Sequence, residues 1–281
     1  GAIKHTENPT FNKNFFEDFL AVLNEGKKKS DKQHFIKDLK KCDFTKIADY
    51  LAEQREIRKN RSKEEKEKEK EEKQALRDKY GFAIVDGRKE KVGNYTVEPP
   101  GLFLGRGKHP KVGRVKKRIF PEDVTINVSA DAEVPECPLE GHKWKEIVHD
   151  PTVSWLAYWR ENINDSSKYV WLAPSSAIKG RADREKFEVA RRLKDSIKTI
   201  RKDYTKALTD DDEATRQMAT AIFLIDKLAL RVGNEKGEEE ADTVGCCSLR
   251  VEHITPVPPK TLEFDFLGKD SMRYQNAVEV P

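Results

Sequence analysis

The sequence predicts an α+β protein of several domains, because helical and strand periodicities occupy different stretches of its 281 residues. Residues 1–82 contain runs in which apolar side chains recur every three or four positions, which is typical of helices that bury one face. Residues 82–175 are rich in Val, Ile, Tyr and Trp and are punctuated by Gly and Pro, which is typical of strands joined by loops. The predicted parts are residues 1–82, 83–183 and 184–281.

Charge and composition limit the possible partners. Residues 101–120 contain seven Lys or Arg and no acid, and clustered charge of one sign favours a polyanionic partner more than the net charge of +4 does. No apolar run reaches the roughly 18 residues that a membrane span needs. The sequence has neither a Walker loop nor a dinucleotide fingerprint, so we expect no ATP or NAD and no other cofactor.

The metal-ligating residue types are too scattered to predict a metal site. The histidines show no helical metal motif, and the cysteines show no zinc spacing and are expected to be buried, reduced thiols in an intracellular compartment. For the acidic residues between Glu235 and Asp242, we favour a solvated loop over a Mg²⁺ site. The cysteines are Cys42, Cys137, Cys246 and Cys247, and the histidines considered are His109, His142, His149 and His253.

The first 82 residues predict several helices. Phe-rich residues 11–23 form an amphipathic pattern that Asn24 to Gly26 ends, and a second short helix is expected over 34–39. Asp43 or Thr45 can cap a third helix. Residues 62–65 fit the capping box of a further long helix, whose residues 63–74 carry no apolar side chain. That helix is a solvated spacer or a short coiled coil if the segment is considered alone.

Aromatic residues mark two strands of one sheet, residues 153–159 and 168–172. Their rings suit either a hydrophobic core or a platform on which bases stack. We favour the core, because the rings lie in alternating strands without interleaved Lys or Arg.

Residues 102–118 predict a loop that contacts a nucleic-acid backbone. Gly105 and Gly107 flank Arg106, which allows a close approach of the chain to a surface while one guanidinium reaches inward. Further cations follow, and phosphate contact is the favoured interpretation over a simple turn. These cations are Lys108, Lys111, Arg114, Lys116, Lys117 and Arg118.

A basic helix is predicted over 184–208, after a sheet region that ends near Lys179. It has nine Lys or Arg against four acids, which is typical of a helix that binds a membrane surface or a partner. Its apolar positions are Phe187, Ala190, Leu193 and Ile197.

The last part of the chain combines a buried helix with a β-hairpin. Residues 215–230 have an apolar stripe, and Arg231 follows where the helix stops, with its guanidinium available for a bidentate oxyanion. Residues 261–266 and 272–280 form a predicted hairpin with Lys269 at its tip. One rigid arginine and one mobile lysine suit a phosphodiester substrate. The stripe consists of Met218, Ile222, Ile225 and Ala229, widened by Ala221 and Leu228.

Residues 228–236, 242–250 and 264–270 closely resemble the core of the eukaryotic type IB DNA topoisomerases. The resemblance implies a multi-domain DNA clamp: a helical cap, a β-rich cap subdomain and the start of a tyrosine-recombinase-like catalytic lobe. It also implies a nuclear enzyme that relaxes supercoiled duplex DNA through a 3′-phosphotyrosyl intermediate, without metal or ATP. Shorter similar stretches are 14–16, 41–45, 97–103, 105–107, 141–146 and 174–176.

The resemblance also implies roles for individual residues. Arg231 would hold the non-bridging phosphate oxygens, and Lys269 would contact a base edge and protonate the leaving 5′-oxygen. Arg106 would enter the minor groove beside the site where planar poisons such as camptothecin intercalate, although Leu104 stands where the family often has Arg. The expected DNA-binding residues are Phe103, Gly105, Arg106, Lys108, Lys111, Lys116, Lys117, Arg118, Lys179, Lys236 and Asp270.

The family's remaining catalytic residues are expected beyond Pro281, since none of the seven tyrosines has the context of the nucleophile. The chain alone is therefore expected to be inactive, with duplex DNA and the missing part of the enzyme as its partners. A non-catalytic DNA-binding or scaffold fragment is the alternative. A tyrosine recombinase shares the Arg and Lys chemistry, but the long stretch 1–175 disfavours it.

Overall fold

A computed structural model describes residues 7–25 and 36–281 of the chain. The chain divides into two compact units: residues 1–103 with 113–183, and residues 104–112 with 184–281. Helices and small sheets both occur, so the predicted α+β class is confirmed. The division into three parts remains a prediction. Within the described residues, no helix combines the length and the apolar character that crossing a membrane requires.

Three helices lie in the first unit: α1 (Pro9–Leu23), α2 (Thr45–Lys59) and α3 (Lys63–Tyr80). The Asn8 side chain caps α1 by accepting hydrogen bonds from the backbone N–H groups of Thr10 and Phe11. These bonds satisfy donors that have no partner inside the helix. The predicted first helix is thereby confirmed. It ends at Leu23 with Asn24 as its C-cap, as predicted, while Gly26 and the first two residues of the short helix predicted over 34–39 lie outside the described residues.

Helices α2 and α3 bury no residue, which was expected for α3 because residues 63–74 carry no apolar side chain. Asp43 accepts a 2.8 Å hydrogen bond from Thr45 N at the start of α2. The predicted capping box of α3 is present, with Glu65 N donating to Ser62 Oγ at 3.1 Å and Ser62 N donating to Glu65 at 2.8 Å. Residues 36–38 are not helical, and only a 3₁₀ turn at Leu39–Lys41 follows, so the described part of the second predicted helix is wrong.

The first unit also contains two hairpin-like strand pairs and a four-stranded sheet with the order β6-β5-β7-β8. Strands β5 and β6 are parallel, and the other neighbours are antiparallel. Buried Val124, Ile126 and Trp159 form its core. The strands are β1 (Phe82–Val85), β2 (Arg88–Lys91), β3 (Gly101–Leu102), β4 (Val115–Lys116), β5 (Thr125–Asn127), β6 (Glu146–Val148), β7 (Trp155–Arg160) and β8 (Ser167–Trp171).

The predicted aromatic strands exist, but the prediction that their rings form the core is wrong for most of them. Trp159 is 6% exposed and belongs to the core, whereas Tyr169 and Trp171 are 43% and 46% exposed. Successive strand residues face opposite sides of a sheet, so a run of aromatics cannot all reach one core. A register shift between Trp155 and Ala157 adds Trp155 to the outer set.

Helix α4 (Ala177–Ala207) begins earlier than predicted, since Lys179 and Gly180 lie in its first turn and not at the end of the sheet. Ser176 Oγ accepts a hydrogen bond from Lys179 N there. Three of its predicted apolar positions, Phe187, Ala190 and Leu193, are exposed. Only the end of the helix packs against a core, through Ile200, Tyr204 and Ala207.

Helix α5 (Glu213–Leu228) is the buried helix of the second unit. Its N-terminus is capped by Asp212, which accepts a 2.8 Å hydrogen bond from Thr215 N. The buried positions are displaced from the predicted stripe, and Met218 is 64% exposed. Ala221, Ile222 and Ile225 pack only partly against the core, whose α5 members are Ala219, Phe223, Leu224 and Leu228.

The predicted hairpin is confirmed and forms part of a three-stranded antiparallel sheet with the order β11-β10-β9. Alternating Phe264 and Phe266 of β10 are buried in the same core as α5, which sets the register of the hairpin. The strands are β9 (Ile254–Val257), β10 (Thr261–Leu267) and β11 (Arg273–Glu279).

Candidate nucleic-acid interface

The backbone at Arg231 is held by a neighbouring turn. Beyond α5, the carbonyl of Arg231 accepts a 2.8 Å hydrogen bond from Cys246 N, and that of Val232 accepts a 2.7 Å bond from Cys247 N. A Cβ on Gly233 would lie 2.5 Å from the Gly245 Cα, so these two backbones touch and neither position tolerates a side chain. The Arg231 side chain is exposed and makes no ion pair with any described residue.

Lys269 lies at the tip of the β10–β11 hairpin. Gly268 N donates to Met272 O at 2.8 Å, and Ser271 N donates to Gly268 O at 3.0 Å, which closes a tight tip. Asp270 has a left-handed backbone with φ of 66°. The Lys269 side chain is exposed and forms no ion pair within the described part of the chain.

Two hydrogen bonds connect the hairpin to the region around Arg231. Tyr274 Oη on β11 donates to the carbonyl of Leu228, the last residue of α5, at 3.1 Å. Val244 N donates to Leu267 O at 2.9 Å. The segments that carry Arg231 and Lys269 are therefore parts of one packed structure, the second unit.

Arg106 and Asp270, both expected to contact DNA, form an ion pair with each other. The loop 104–112 belongs to the second unit and lies against the hairpin tip, where a Cβ on Gly107 would be 2.7 Å from the Ser271 Cβ. Gly105 and Gly107 have φ of 62° and 57°, a conformation that glycine adopts without strain. Gly107 therefore approaches the hairpin closely.

Most of the other predicted DNA-contacting cations are also paired with carboxylates. Lys111 pairs with Glu239 at 2.7 Å, and Lys116 pairs with Glu98 at 3.0 Å. Weaker exposed pairs join Lys179 with Asp183 at 3.2 Å and Lys236 with Glu240 at 3.5 Å. Surface pairs of this kind contribute little stability and exchange readily with another anion.

Arg114 differs from these cations because it bonds to two carboxylates. Its guanidinium donates to Asp18 at 2.7 Å and to Glu17 at 2.9 Å, and Asp18 also accepts a hydrogen bond from Val115 N. Partial burial lowers the pKa of Arg114, but the hydrogen bonds and charges of Asp18 and Glu17 together outweigh it, so the pKa is raised. Arg114 therefore links α1 to the part of the basic segment that belongs to the first unit.

The other predicted DNA-contacting cations form no ion pair with a carboxylate among the described residues. Phe103 is held through its backbone. Lys108 and Lys117 are exposed, and Arg118 lies over the ring of Phe120 at 5.1 Å from its centroid. Phe103 is half-buried, and its N–H donates to Arg114 O at 2.8 Å. Their contact with DNA remains a prediction.

The acidic loop contains an ion pair, and the cysteines near it differ in exposure. Arg250 binds Asp242 with both terminal nitrogens, at 3.0 and 2.8 Å, and lowers the pKa of that carboxyl. Among the described residues, no three His, Cys, Asp or Glu side chains cluster in a way that suits a metal ion. Cys246 is buried, and burial raises its pKa to about 11, but Cys247 is exposed, so the expectation of buried thiols is wrong there.

Sequence reasoning missed the residues that hold the site in place. Asp18 and Arg114 are separated by 96 positions, and Tyr274 and Leu228 by 46, so no local pattern indicates either contact. The contact between Gly245 and Gly233 likewise follows only from the packing, although both glycines are present in the sequence.

Comparisons with known proteins cover nearly the whole chain. The family model for the DNA binding fragment of eukaryotic DNA topoisomerase I matches residues 2–172, and the model for its catalytic core matches residues 175–281. The chain is 56% identical to DNA topoisomerase 1 of Candidozyma auris over 276 residues, which cover 98% of this chain and 36% of that protein.

Two further relatives have the same name. DNA topoisomerase 1 of Schizosaccharomyces pombe is 54% identical over 276 residues, covering 98% of this chain and 33% of the relative. The Homo sapiens protein is 52% identical over 283 residues, covering 99% of this chain and 36% of the relative. The chain therefore spans about a third of the length of the relatives it matches.

Proposed function

This chain belongs to the eukaryotic DNA topoisomerase I family, and we propose that it forms the DNA-clamping and partly catalytic region of a type IB enzyme. Such an enzyme cuts one strand of supercoiled duplex DNA through a 3′-phosphotyrosyl link, lets the free end rotate, and reseals the strand. The chemistry requires a nucleophile, stabilisation of charge on the phosphoryl group, and an acid for the departing 5′-oxygen.

Arg231 is the proposed charge-stabilising residue. The observation that carries the proposal is the contrast between its backbone, held by Cys246 N at 2.8 Å, and its exposed side chain, which has no carboxylate partner in the described residues. A guanidinium on a fixed backbone can bind two non-bridging oxygens with little loss of conformational entropy.

Lys269 is the proposed general acid. Its position at the tip of a hairpin, exposed and without an ion pair among the described residues, leaves its ammonium group able to reach the 5′-oxygen. Lysine suits this role because its stem is flexible and its proton can be transferred, whereas arginine retains its proton. Asp270 orders the tip through its ion pair with Arg106.

Duplex DNA is bound chiefly through its phosphates. Lys108, Lys117 and Arg118 contact them directly, and a phosphate replaces the carboxylate partner of Lys111, Lys116, Lys179 or Lys236. For Arg106, entry into the minor groove requires that its ion pair with Asp270 opens or shares a partner. Phe103, Gly105 and Gly107 shape the loop that approaches the duplex.

The nucleophilic tyrosine, the second arginine and the histidine are proposed to come from a segment outside these 281 residues, and the enzyme acts in the nucleus without metal or ATP. The test is to mix this chain with a polypeptide that supplies that segment and to follow relaxation of supercoiled plasmid in EDTA. We expect relaxation by the mixture and duplex binding without relaxation by the chain alone. A tyrosyl–DNA adduct formed by the chain alone after detergent quenching would contradict the assignment.

A further inference from the structure

The four-stranded sheet of the first unit has an aromatic face that its core does not use. Trp159, Ala157 and Val170 pack on the core side with Ile126. On the other side, the rings of Tyr158 and Tyr169 are 5.8 Å apart, and those of Tyr169 and Trp171 are 5.3 Å apart. Trp155 completes the set at 5.0 Å from Tyr158. We call these four residues, Trp155, Tyr158, Tyr169 and Trp171, the aromatic face.

The pairing of the strands explains why these rings lie together. Tyr169 and Trp171 are two residues apart on β8 and point to the same side, and Tyr158 pairs with Tyr169 across the strands. The irregularity between Trp155 and Ala157 brings Trp155 to that side opposite Trp171. Trp155 and Tyr158 are half-buried against their neighbours, while Tyr169 and Trp171 present ring surface to solvent.

Cations occur at both ends of the aromatic face. Arg160 is two residues beyond Tyr158 on β7 and therefore on the same side, and its partner Asp165 is a surface carboxylate at 3.1 Å. At the other end, Gly93 N donates to Trp171 O at 2.8 Å, which places β2 with exposed Lys91 beside the end of β8. Exposed rings between cations suit a ligand that is both aromatic and anionic.

We propose that the aromatic face binds unpaired bases of single-stranded DNA. Rings that stack on bases need bases that are not already stacked in a duplex, and every base has a face that such a ring can cover. Sheets that present exposed aromatics to single-stranded nucleic acid bind in this way. The match to a DNA-binding fragment over residues 2–172 includes all four rings, which favours DNA as the ligand over a protein. The binding is additional to the proposed duplex relaxation and does not depend on Arg231 or Lys269.

The test compares two single-stranded probes that share a phosphate backbone. One is an oligothymidylate of about ten nucleotides, and the other is an abasic oligomer of the same length. We expect the chain to bind the oligothymidylate about tenfold more tightly for each stacked base, with quenching of tryptophan fluorescence. Equal binding of both probes would overturn the proposal, since backbone charge would then account for the affinity.

Variants locate the site. Tyr169→Ala with Trp171→Ala should remove the preference for the base-containing probe, while Tyr169→Phe should keep it because the ring remains. The matched control is Phe187→Ala, which removes an exposed ring on α4 and should change neither probe's affinity. Duplex affinity and far-UV circular dichroism should be unchanged in every variant.

Three results would contradict the proposal even if the protein binds the oligothymidylate. One is a double alanine variant that is folded and retains the base preference. Another is self-association through this face, seen as a concentration-dependent mass that the double variant abolishes. The third is loss of base preference in Phe187→Ala, which would place the binding elsewhere.

Discussion

The basic segment 101–120 and the pair Arg231 and Lys269 carry their positive charge in different ways. The segment has seven cations and no acid of its own, yet carboxylates from elsewhere in the chain pair with Arg106, Lys111, Arg114 and Lys116. Arg231 and Lys269 are isolated cations in the sequence, and no described carboxylate pairs with either. Local density of charge therefore does not measure the charge that is available to a ligand.

The paired cations are themselves of two kinds. Lys116 and Glu98 form a surface pair that solvent screens, so a phosphate can replace the carboxylate at little cost. Arg114 bonds to two carboxylates, and one of them, Asp18, has a side chain that is 25% exposed, against 69% for Glu98, and also accepts from Val115 N. Removing Arg114 leaves partly buried acceptors without their donor.

The largest effect is expected on the cleavage rate of the complete enzyme when one of the two unpaired cations, Arg231 or Lys269, is replaced. Lys269→Ala should slow cleavage by about 10²–10⁴-fold, the usual contribution of a general acid. It should leave duplex affinity nearly unchanged, because one lysine adds little to a large phosphate interface. Single-turnover cleavage and duplex binding measure the two effects.

Replacing the 5′-bridging oxygen of the scissile phosphate with sulfur separates the two roles. Sulfur leaves without needing a proton, so Lys269→Ala should regain most of its cleavage rate. Arg231→Ala should remain slow, since charge on the non-bridging oxygens still requires stabilisation. Rescue of neither variant, or better rescue of Arg231→Ala, would show that the roles are assigned wrongly.

The next largest effect is expected on the free energy of unfolding of the first unit when a paired cation is replaced. Arg114→Ala should lower the free energy of unfolding by about 1–2 kcal/mol, because two carboxylates lose their donor. Lys116→Ala, which removes only a surface pair, should change it by less than about 0.5 kcal/mol. Urea denaturation measures both, and equal effects would remove the distinction between the two kinds of pair.

A smaller effect is expected on the salt dependence of duplex binding. Changing Lys116, Lys117 and Arg118 together to Ala should reduce the slope of log affinity against log salt by roughly 0.9 for each phosphate that the variant no longer neutralises, whatever the DNA sequence. As single changes, Lys117→Ala should weaken binding more than Lys111→Ala, because Lys111 must first leave Glu239. Affinity that varies with sequence and not with salt would contradict phosphate binding.

The smallest effect is a pH dependence of stability in the second unit. Arg201 lowers the pKa of Asp226 through hydrogen bonds of 2.9 and 3.0 Å, and the Tyr204 hydroxyl also donates to this carboxylate. The stabilisation is therefore present above the unfolded-state pKa and is lost as the pH falls through the lower folded-state pKa. In acid titrations of thermal stability, Asp226→Asn should flatten this loss. If the variant loses thermal stability at low pH to the same extent, the Arg201–Asp226 pair is not the cause of that loss.

Elements whose signals are local could be located from the sequence. The cap at Ser62 and the alternation of β10 are both properties of a few adjacent residues, and each occurs where it was predicted. The position of Lys269 at a hairpin tip follows from the same alternation. The family resemblance was also apparent from short stretches of sequence, because those stretches form the segments on either side of Arg231 and the hairpin.

Which faces are buried and which charges are paired depended instead on how distant segments pack together. Met218 and Trp171 have the apolar character and the spacing of core residues, but burial depends on what packs against them, and the α5 core is built from neighbouring positions instead. The carboxylates that hold Arg106 and Arg114 lie far away in the sequence. Ion pairing and burial depend on distances between segments, which the order of residues along the chain does not specify.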